Sequence, residues 1–215
     1  MKIPYQQAFS KLNPRLTTTP ADIAYDWFDR LSCPGIVCLC RFGFIYDVTF
    51  GLLNKGKSME ICVRNATSND YPALCELLDE IDALHREHLP HLFQKPGGPV
   101  REPDYYSGLI ADENVGVFVA ETGGQLVGFL HAIVRDAPPI PILVPRRYAV
   151  VDSIVVKSGF QKRGIGRLLM AKMQAWAIAK GASSIELNVY EFNETAISFY
   201  EKLGYQPLSR SVVPQ

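Results

Sequence analysis

A chain of 215 residues, 47% apolar and 20% charged, can bury a core without disulfide or metal staples. Lys and Arg (22) balance Asp and Glu (22), which argues against a general nucleic-acid binder and makes any phosphate recognition local. The longest apolar stretch, 36–53, contains Arg41 and Asp47 and so excludes a bilayer span there.

In chain order, residues 1–58 show no sustained period: 1–20 are polar and rich in Pro and Thr, and 33–53 are apolar with scattered Gly. Regular patterning begins at Met59 and divides the chain into 1–58 and 59–215. Ile61 and Val63 alternate with polar neighbours and predict a strand. Ser68 or Asn69 can cap the next helix, with Asp70 and Pro72 in its first turn and Leu74, Leu77, Leu78, Ile81 and Leu84 on its apolar face. Pro90 and Pro96-Gly97-Gly98-Pro99 end it in a loop. A short helix is expected around Pro103 to Asp112. Strands over Val115 to Glu121 and Gln125 to Val134 flank Thr122-Gly123-Gly124, a hairpin signal. Beyond the proline-rich 137–147, a strand over Tyr148 to Lys157 runs into a helix from about Gly164 to Lys180. That helix should bury Ile165, Leu168, Leu169, Met173 and Trp176, with Gly181 as its stop. A strand over Ser184 to Tyr190, a helix from Asn193 to Leu203 and a final strand over about Tyr205 to Val213 complete the pattern. The order predicts an α/β (α+β) domain with a mixed, mostly antiparallel central sheet flanked by helices.

The segment Val151 to Gly166, VDSIVVKSGFQKRGIG, carries the chemistry. An apolar strand (Ile154, Val155, Val156) ends in a basic, Gly-containing loop that opens into a helix. Unpaired first-turn N–H groups and the helix dipole make such a place an anion site, and glycines let backbone approach a phosphate. Two other phosphate patterns compete. Gly51 to Ser58 fits G-x-x-x-x-G-K-[ST] literally, but a P-loop requires a helix right after the Ser, and a strand pattern follows instead. Gly164 and Gly166 begin a dinucleotide fingerprint whose third position is Leu169, and Glu186 falls in mid-strand where a ribose-binding acid belongs at a strand end.

Taken with the rest of 151–205, Gln161-Lys162-Arg163-Gly164-Ile165-Gly166 resembles the [Q/R]-x-x-G-x-[G/A] signature of the GNAT superfamily of N-acetyltransferases. Asn193 to Tyr205 is similar to that family's N-x-x-A-x-x-F-Y-x-K-x-G-[F/Y] segment. The resemblance covers about three quarters of the chain, in order and spacing, and leaves 1–58 unexplained. It implies a GNAT-like acyl-CoA N-acyltransferase fold, acetyl-CoA as donor and an amine, of a small molecule or a protein, as acceptor. On that basis the pyrophosphate lies on the loop of Gln161, Lys162, Arg163, Gly164, Ile165 and Gly166 and the first helical turn, with Arg167 adding charge. Pantetheine lies along the backbone of Ile154, Val155 and Val156, where an N–H can also stabilise an oxyanion. Asn193 either caps its helix or binds the cofactor arm. Tyr200 corresponds to the family's general acid, which protonates the departing thiolate.

No residue stands out as the base; Asp152, Glu186 and Glu191 lie on or beside the strands that border the cleft. Cys62 and Cys75 lie far in sequence from the cofactor segments, which favours direct transfer in a ternary complex over a thiol relay. A non-catalytic acyl-CoA sensor on the same fold is the alternative function. His85, His88 and His91 cluster, but Pro90 breaks their geometry and no partner set has ligand spacing, so no metal is expected. In the family the segment between the first two helices lines the acceptor site, so His85 to Tyr106, with Phe93, Tyr105 and Tyr106, is expected to shape acceptor choice. Five cysteines (Cys33, Cys38, Cys40, Cys62, Cys75) without a C-x-x-C pair, and no leader pattern, lead us to expect reduced thiols in a cytoplasmic protein. A monomer or homodimer without nucleic-acid or membrane partners is expected. Lys55-Gly56-Lys57 can be encoded by a ribosome-binding-like sequence just before the Met59 codon, so 1–58 reads as an upstream extension or else a packed appendage.

Overall fold

The computed structural model describes residues 60–98 and 101–213, which fall within one compact unit. The extension 1–58 and its literal P-loop pattern, Gly51 to Ser58, lie outside the described residues.

Among the described residues, five strands form one sheet in the order β1 (Cys62–Asn65), β2 (Val115–Thr122), β3 (Gln125–Asp136), β4 (Arg147–Val156) and β5 (Ser184–Leu187). The first three pairings are antiparallel, and β4 pairs with β5 in parallel. Gly123 (φ 55°) and Gly124 (φ 76°) make the tight turn from β2 to β3, a conformation that side chains with a Cβ resist. A parallel pair needs a crossover, and the helix between β4 and β5 supplies it.

The helices are α1 (Tyr71–His88), α2 (Pro103–Ala111), α3 (Ile165–Ala179) and α4 (Glu194–Lys202). Strand alternation splits the core into two layers. Phe118, Leu130 and Val151 pack with Ile165, Leu169, Met173 and Tyr200 on the α3–α4 face. Val119 and Phe129 pack with Leu74, Leu77, Leu78 and Tyr106 on the α1–α2 face. A methyl placed on Gly128 would sit 3.0 Å from a methyl of Leu169, so this glycine lets α3 lie close on the sheet.

Several boundaries differ from the sequence expectation. The final strand over Tyr205 to Val213 does not form; that segment is irregular, with Leu208 and Val212 more than 80% exposed. Pro207 removes a ladder donor within it. The strand expected to reach Tyr190 ends at Leu187. Leu168 is 44% exposed rather than buried, because the sheet-facing row is Ile165, Leu169, Met173 and Ala177, four residues apart. The entry to α1 is organised by Thr67 and Asp70, not by Ser68 or Asn69: the Asp70 carboxylate accepts the Thr67 N–H at 2.7 Å. Asp70 also accepts from Arg64 at 2.8 Å, and that guanidinium lowers its pKa to about 2.

Candidate active site

The β4–β5 ladder runs from Tyr148↔Ser184 to Val151↔Leu187 and stops. β4 continues for five more residues, and on its other side Ile154, Val155 and Val156 stay paired to Leu130, Phe129 and Gly128. One edge of β4 therefore extends past the end of β5. Backbone groups on such an edge can bind an extended ligand as an added strand does. The side chains stay with the core, Ile154 and Val156 on the α3 face and Val155 on the α1 face. Strand packing and edge binding are compatible at these three positions.

After Val156 the chain makes a 3-10 turn, Ser158–Phe160, whose Ser158 N–H donates to Glu80 at 3.1 Å. Gln161 folds back, its side-chain amide donating to the Val156 carbonyl at 3.1 Å. Lys162 (φ 61°) and Gly164 (φ 82°) adopt left-handed backbone, which turns the chain sharply into α3. The Leu168 N–H donates to the Gly164 carbonyl at 3.1 Å, so the N–H groups of Ile165, Gly166 and Arg167 precede the helical ladder. Lys162, Arg163 and Arg167 are exposed around them, and the Arg163 guanidinium lies 5.3 Å from the Phe160 ring centre. A strand edge leading into a helix N-terminus ringed by three cations fits an extended arm ending in a pyrophosphate. Gly166 has a second reason to be small, because a Cβ there would meet Phe199 of α4 at 3.2 Å.

Asn193 caps α4, its side-chain oxygen accepting the Ala196 N–H at 3.0 Å. Tyr200, about two turns beyond Asn193, is 8% exposed on the α3–α4 face, with its ring 5.3 Å from Phe199 and 6.0 Å from Tyr205. Burial, with Tyr205 beside it, raises its pKa to about 12, so the phenol stays protonated at neutral pH.

The opposite face holds a cavity of about 70 Å³ between α1, α2, β3 and β4. It begins where the β5 pairing ends. The β3–β4 register shifts there: His131 faces Ser153 while Ala132 faces Val151, leaving Asp152 as the extra residue of a bulge. The bulge brings the Asp152 carboxylate 3.2 Å from His131 Nδ1. His131 is 4% exposed, and its Nε2 is buried with no hydrogen-bond partner. The hydrogen bond from His131 outweighs burial and lowers the Asp152 pKa. Arg101, Tyr105 and Tyr106 line the same cavity, as does Cys75 of α1.

Phe93 and His85, from the same expected acceptor segment, lie elsewhere. His85 stacks on Phe93 at 5.0 Å and His88 on Phe192 at 4.4 Å, with Tyr190 closing the cluster against the loop after β5. Burial there lowers the His85 pKa. Among the described residues, no three His, Cys, Asp or Glu side chains converge as a metal site would require.

The acetyltransferase (GNAT) family model matches residues 78–205, from the middle of α1 to three residues past the end of α4. The chain belongs to the GNAT acetyltransferase family. It is 29% identical to the N-alpha-acetyltransferase of Sulfurisphaera tokodaii over 73% of this chain and 86% of that protein. An uncharacterized N-acetyltransferase of Methanocaldococcus jannaschii is 34% identical over 47% of this chain, and the match spans only 44% of that relative's length. Among solved structures, the Bacillus halodurans protein BH1408 (F44R mutant) superposes with a TM-score of 0.69 at 22% identity, covering 72% of this chain and 98% of that one. A structure of AAC(6')-Iy with a CoA-linked bisubstrate analogue superposes at 0.57 with 16% identity, covering 73% and 97%. These likenesses establish the fold.

Within this GNAT domain, the residues that sequence reading missed line the cavity on the α1–α2 face. His131 gave no signal, since it sits in an apolar run, GFLHAIV, where a histidine reads as core. Cys75 was set aside for its distance along the chain, yet it lines the cavity of Asp152. It is not paired with the His131 Nε2, so no thiolate–imidazolium couple exists here. Of the three carboxylates considered for a base, Asp152 alone lines this cavity; Glu186 is bound to Arg146 at 2.6 Å and Glu191 to Arg210 at 2.8 Å.

Proposed function

We propose that the domain transfers the acetyl group of acetyl-CoA to a primary amine by direct attack in a ternary complex. The observation that carries this reading is the β4 edge that outruns β5 and leads straight into the α3 N-terminus. Residues 154–156 present backbone to the pantetheine, and an N–H among them supports the oxyanion that forms when the amine adds to the thioester carbonyl. The N–H groups of Gly164 to Arg167, with Lys162 and Arg163 nearby, hold the pyrophosphate. Asn193 holds the start of α4 and so the placement of Tyr200, which donates a hydrogen bond to the departing sulfur. At about 12 its pKa stands some three to four units above a thiol's, so this donation is shared in the transition state rather than completed before it.

The acceptor is a small molecule or a protein N-terminus, as the relatives' names suggest. We place the enzyme in the cytoplasm, as a monomer or homodimer; among the described residues no helix is long and apolar enough to cross a membrane. Release of CoA thiol is measured while acetyl-CoA and a panel of amines are varied together. Intersecting reciprocal plots are expected. Parallel plots, or an acetyl group recovered on Cys75, would overturn direct transfer, and tight acetyl-CoA binding with no turnover would favour a sensor.

A further inference from the structure

We propose that the C-terminal half of α1 is a tie across the gap between the β4 edge and α4, and that His88 is a positioning residue for Tyr200. The proposal rests on the acetyl-transfer reading above, in which Tyr200 serves the departing sulfur. It adds the residues that fix where Tyr200 stands.

Three observations carry it. The first is a break in the ladder. β4 and β5 are paired only as far as Val151↔Leu187. Beyond that point their backbone pairing no longer sets the distance between β4 and the chain that follows β5. That chain leads through Asn193 into α4, so Tyr200 stands on the far side of the gap from the β4 edge.

The second is that α1 holds both sides. Its Glu80 carboxylate accepts the Ser158 N–H at 3.1 Å, just past the end of β4. Eight residues later, about 12 Å along the helix, His88 stacks on Phe192 with ring centres 4.4 Å apart and planes 9° apart. His85 lies one turn before His88 on the same helix face. It stacks on Phe93 and meets Tyr190 edge-on at 5.3 Å and Phe192 edge-on at 5.9 Å. The rings of His85 and Phe93 are thus turned to each other and to the loop after β5. One helix carries a hydrogen-bonded anchor on the β4 side and a ring anchor on the α4 side.

The third is how the ring anchor is held. His88 Nδ1 donates to the Leu84 carbonyl of its own helix at 3.0 Å, which fixes the plane of the imidazole. On the other side, the Asn193 N–H donates to the Tyr190 carbonyl at 2.9 Å, so Tyr190, Phe192 and the cap of α4 share one turn. Asn193 then accepts the Ala196 N–H at 3.0 Å. Stacked rings have a preferred geometry as well as a preferred distance. A shift of the Phe192 ring therefore moves the first turn of α4, and Tyr200 with it.

The anchor stands apart from the core. His88 and Tyr190 are exposed, while the buried residues of α1, Leu74, Leu77 and Leu78, lie in its N-terminal half. Removing the His88 ring should leave the fold intact and show its effect in the chemical step.

The test uses the full chain with acetyl-CoA and a panel of primary amines. His88→Ala should lower kcat about tenfold, while acetyl-CoA affinity by calorimetry and acceptor KM stay within a factor of about two. The order of preference among the amines should not change. His88→Phe keeps a flat ring on Phe192 and should restore kcat to within about twofold of the native chain. Phe192→Leu should match His88→Ala, and the two together should be no slower than either alone. In a Tyr200→Phe background, His88→Ala should cost less than about a further factor of two, because the group it positions is gone. An undiminished loss in that background, a loss confined to acceptor KM or preference, or no rescue by His88→Phe overturns the positioning role while leaving acetyl transfer intact. A Tyr200→Phe variant as fast as the native chain overturns instead the reading of Tyr200 on which the proposal rests.

Discussion

The β4–α3 edge and the cavity under α1 and α2 meet at Asp152, and they are built in different ways. The edge is backbone: a strand that outruns its neighbour, two left-handed residues, a helix N-terminus and a side-chain cap, all within 154–196. The cavity is side chain: Tyr71, Cys75, Arg101, Tyr106, His131 and Asp152 come from four elements and a loop spread over some eighty positions. Backbone geometry is written in short motifs of Gly, Asn and helix-start residues. A side-chain cavity is written only in the tertiary fold. The two regions should therefore fail differently when mutated.

Tyr200→Phe tests the link between them with the largest expected effect. Removing the hydroxyl should lower kcat about 100-fold while acetyl-CoA affinity and acceptor KM stay within a factor of about two. A parallel loss of acetyl-CoA binding would mean that the buried ring serves packing, as its contacts with Phe199 and Tyr205 also allow.

Gly166→Val comes next. Its Cβ would begin 3.2 Å from Phe199, and the added methyls must push α3 from α4. A loss of about 1–3 kcal/mol in stability is expected, together with weaker acetyl-CoA binding, because the helix N-terminus moves with α3. Unchanged binding in a destabilised variant would show that the anion grip does not depend on the α3–α4 contact.

On the α1–α2 side, the N-terminal entry to α1 hangs on Asp70. Its folded pKa of about 2 lies below the ordinary 3.8, so the Arg64–Asp70 pair adds stability at pH values above about 4 and loses it as the pH falls toward 2. With Arg64 partly exposed, the size is on the order of 1–2 kcal/mol. Denaturant midpoints measured from pH 5 down to pH 2 should fall in the native chain and flatten in Asp70→Asn over that window. An equally steep fall in Asp70→Asn would place the acid sensitivity elsewhere.

The contrast also explains what the sequence made legible. The hairpin glycines, the apolar run of β4 and the Gln161–Gly166 motif are local signals, and the element order and mixed sheet follow from them. The chain end misled because Tyr205 to Val213 alternates like a strand, yet pairing needs a neighbour and Pro207 cannot donate to one. Leu168 misled because one apolar stripe fits several helix faces, and only the sheet decides which face is covered. His131 was illegible because its meaning comes from a register shift that slides Asp152 beside it. No spacing rule connects residues 75, 101, 131 and 152.

The smallest expected effect is the sharpest on how the anion is held. If the grip is backbone, Lys162→Ala and Arg167→Ala should each weaken acetyl-CoA binding no more than about fivefold, since exposed cations near a phosphate contribute roughly 1 kcal/mol or less. The loss should shrink further as salt is raised, because screening acts on exposed side chains more than on hydrogen-bonded N–H groups. Lys162 carries a complication: its φ of 61° is left-handed, so Lys162→Gly removes the charge and relieves the backbone strain together. Comparing the two substitutions separates the contributions. Alanine should bind slightly worse than the native chain, and glycine should bind as well as alanine while melting at a higher temperature. A loss of 100-fold or more in either variant, persisting at high salt, would move the grip from the backbone to these side chains and make the two sides of the site alike.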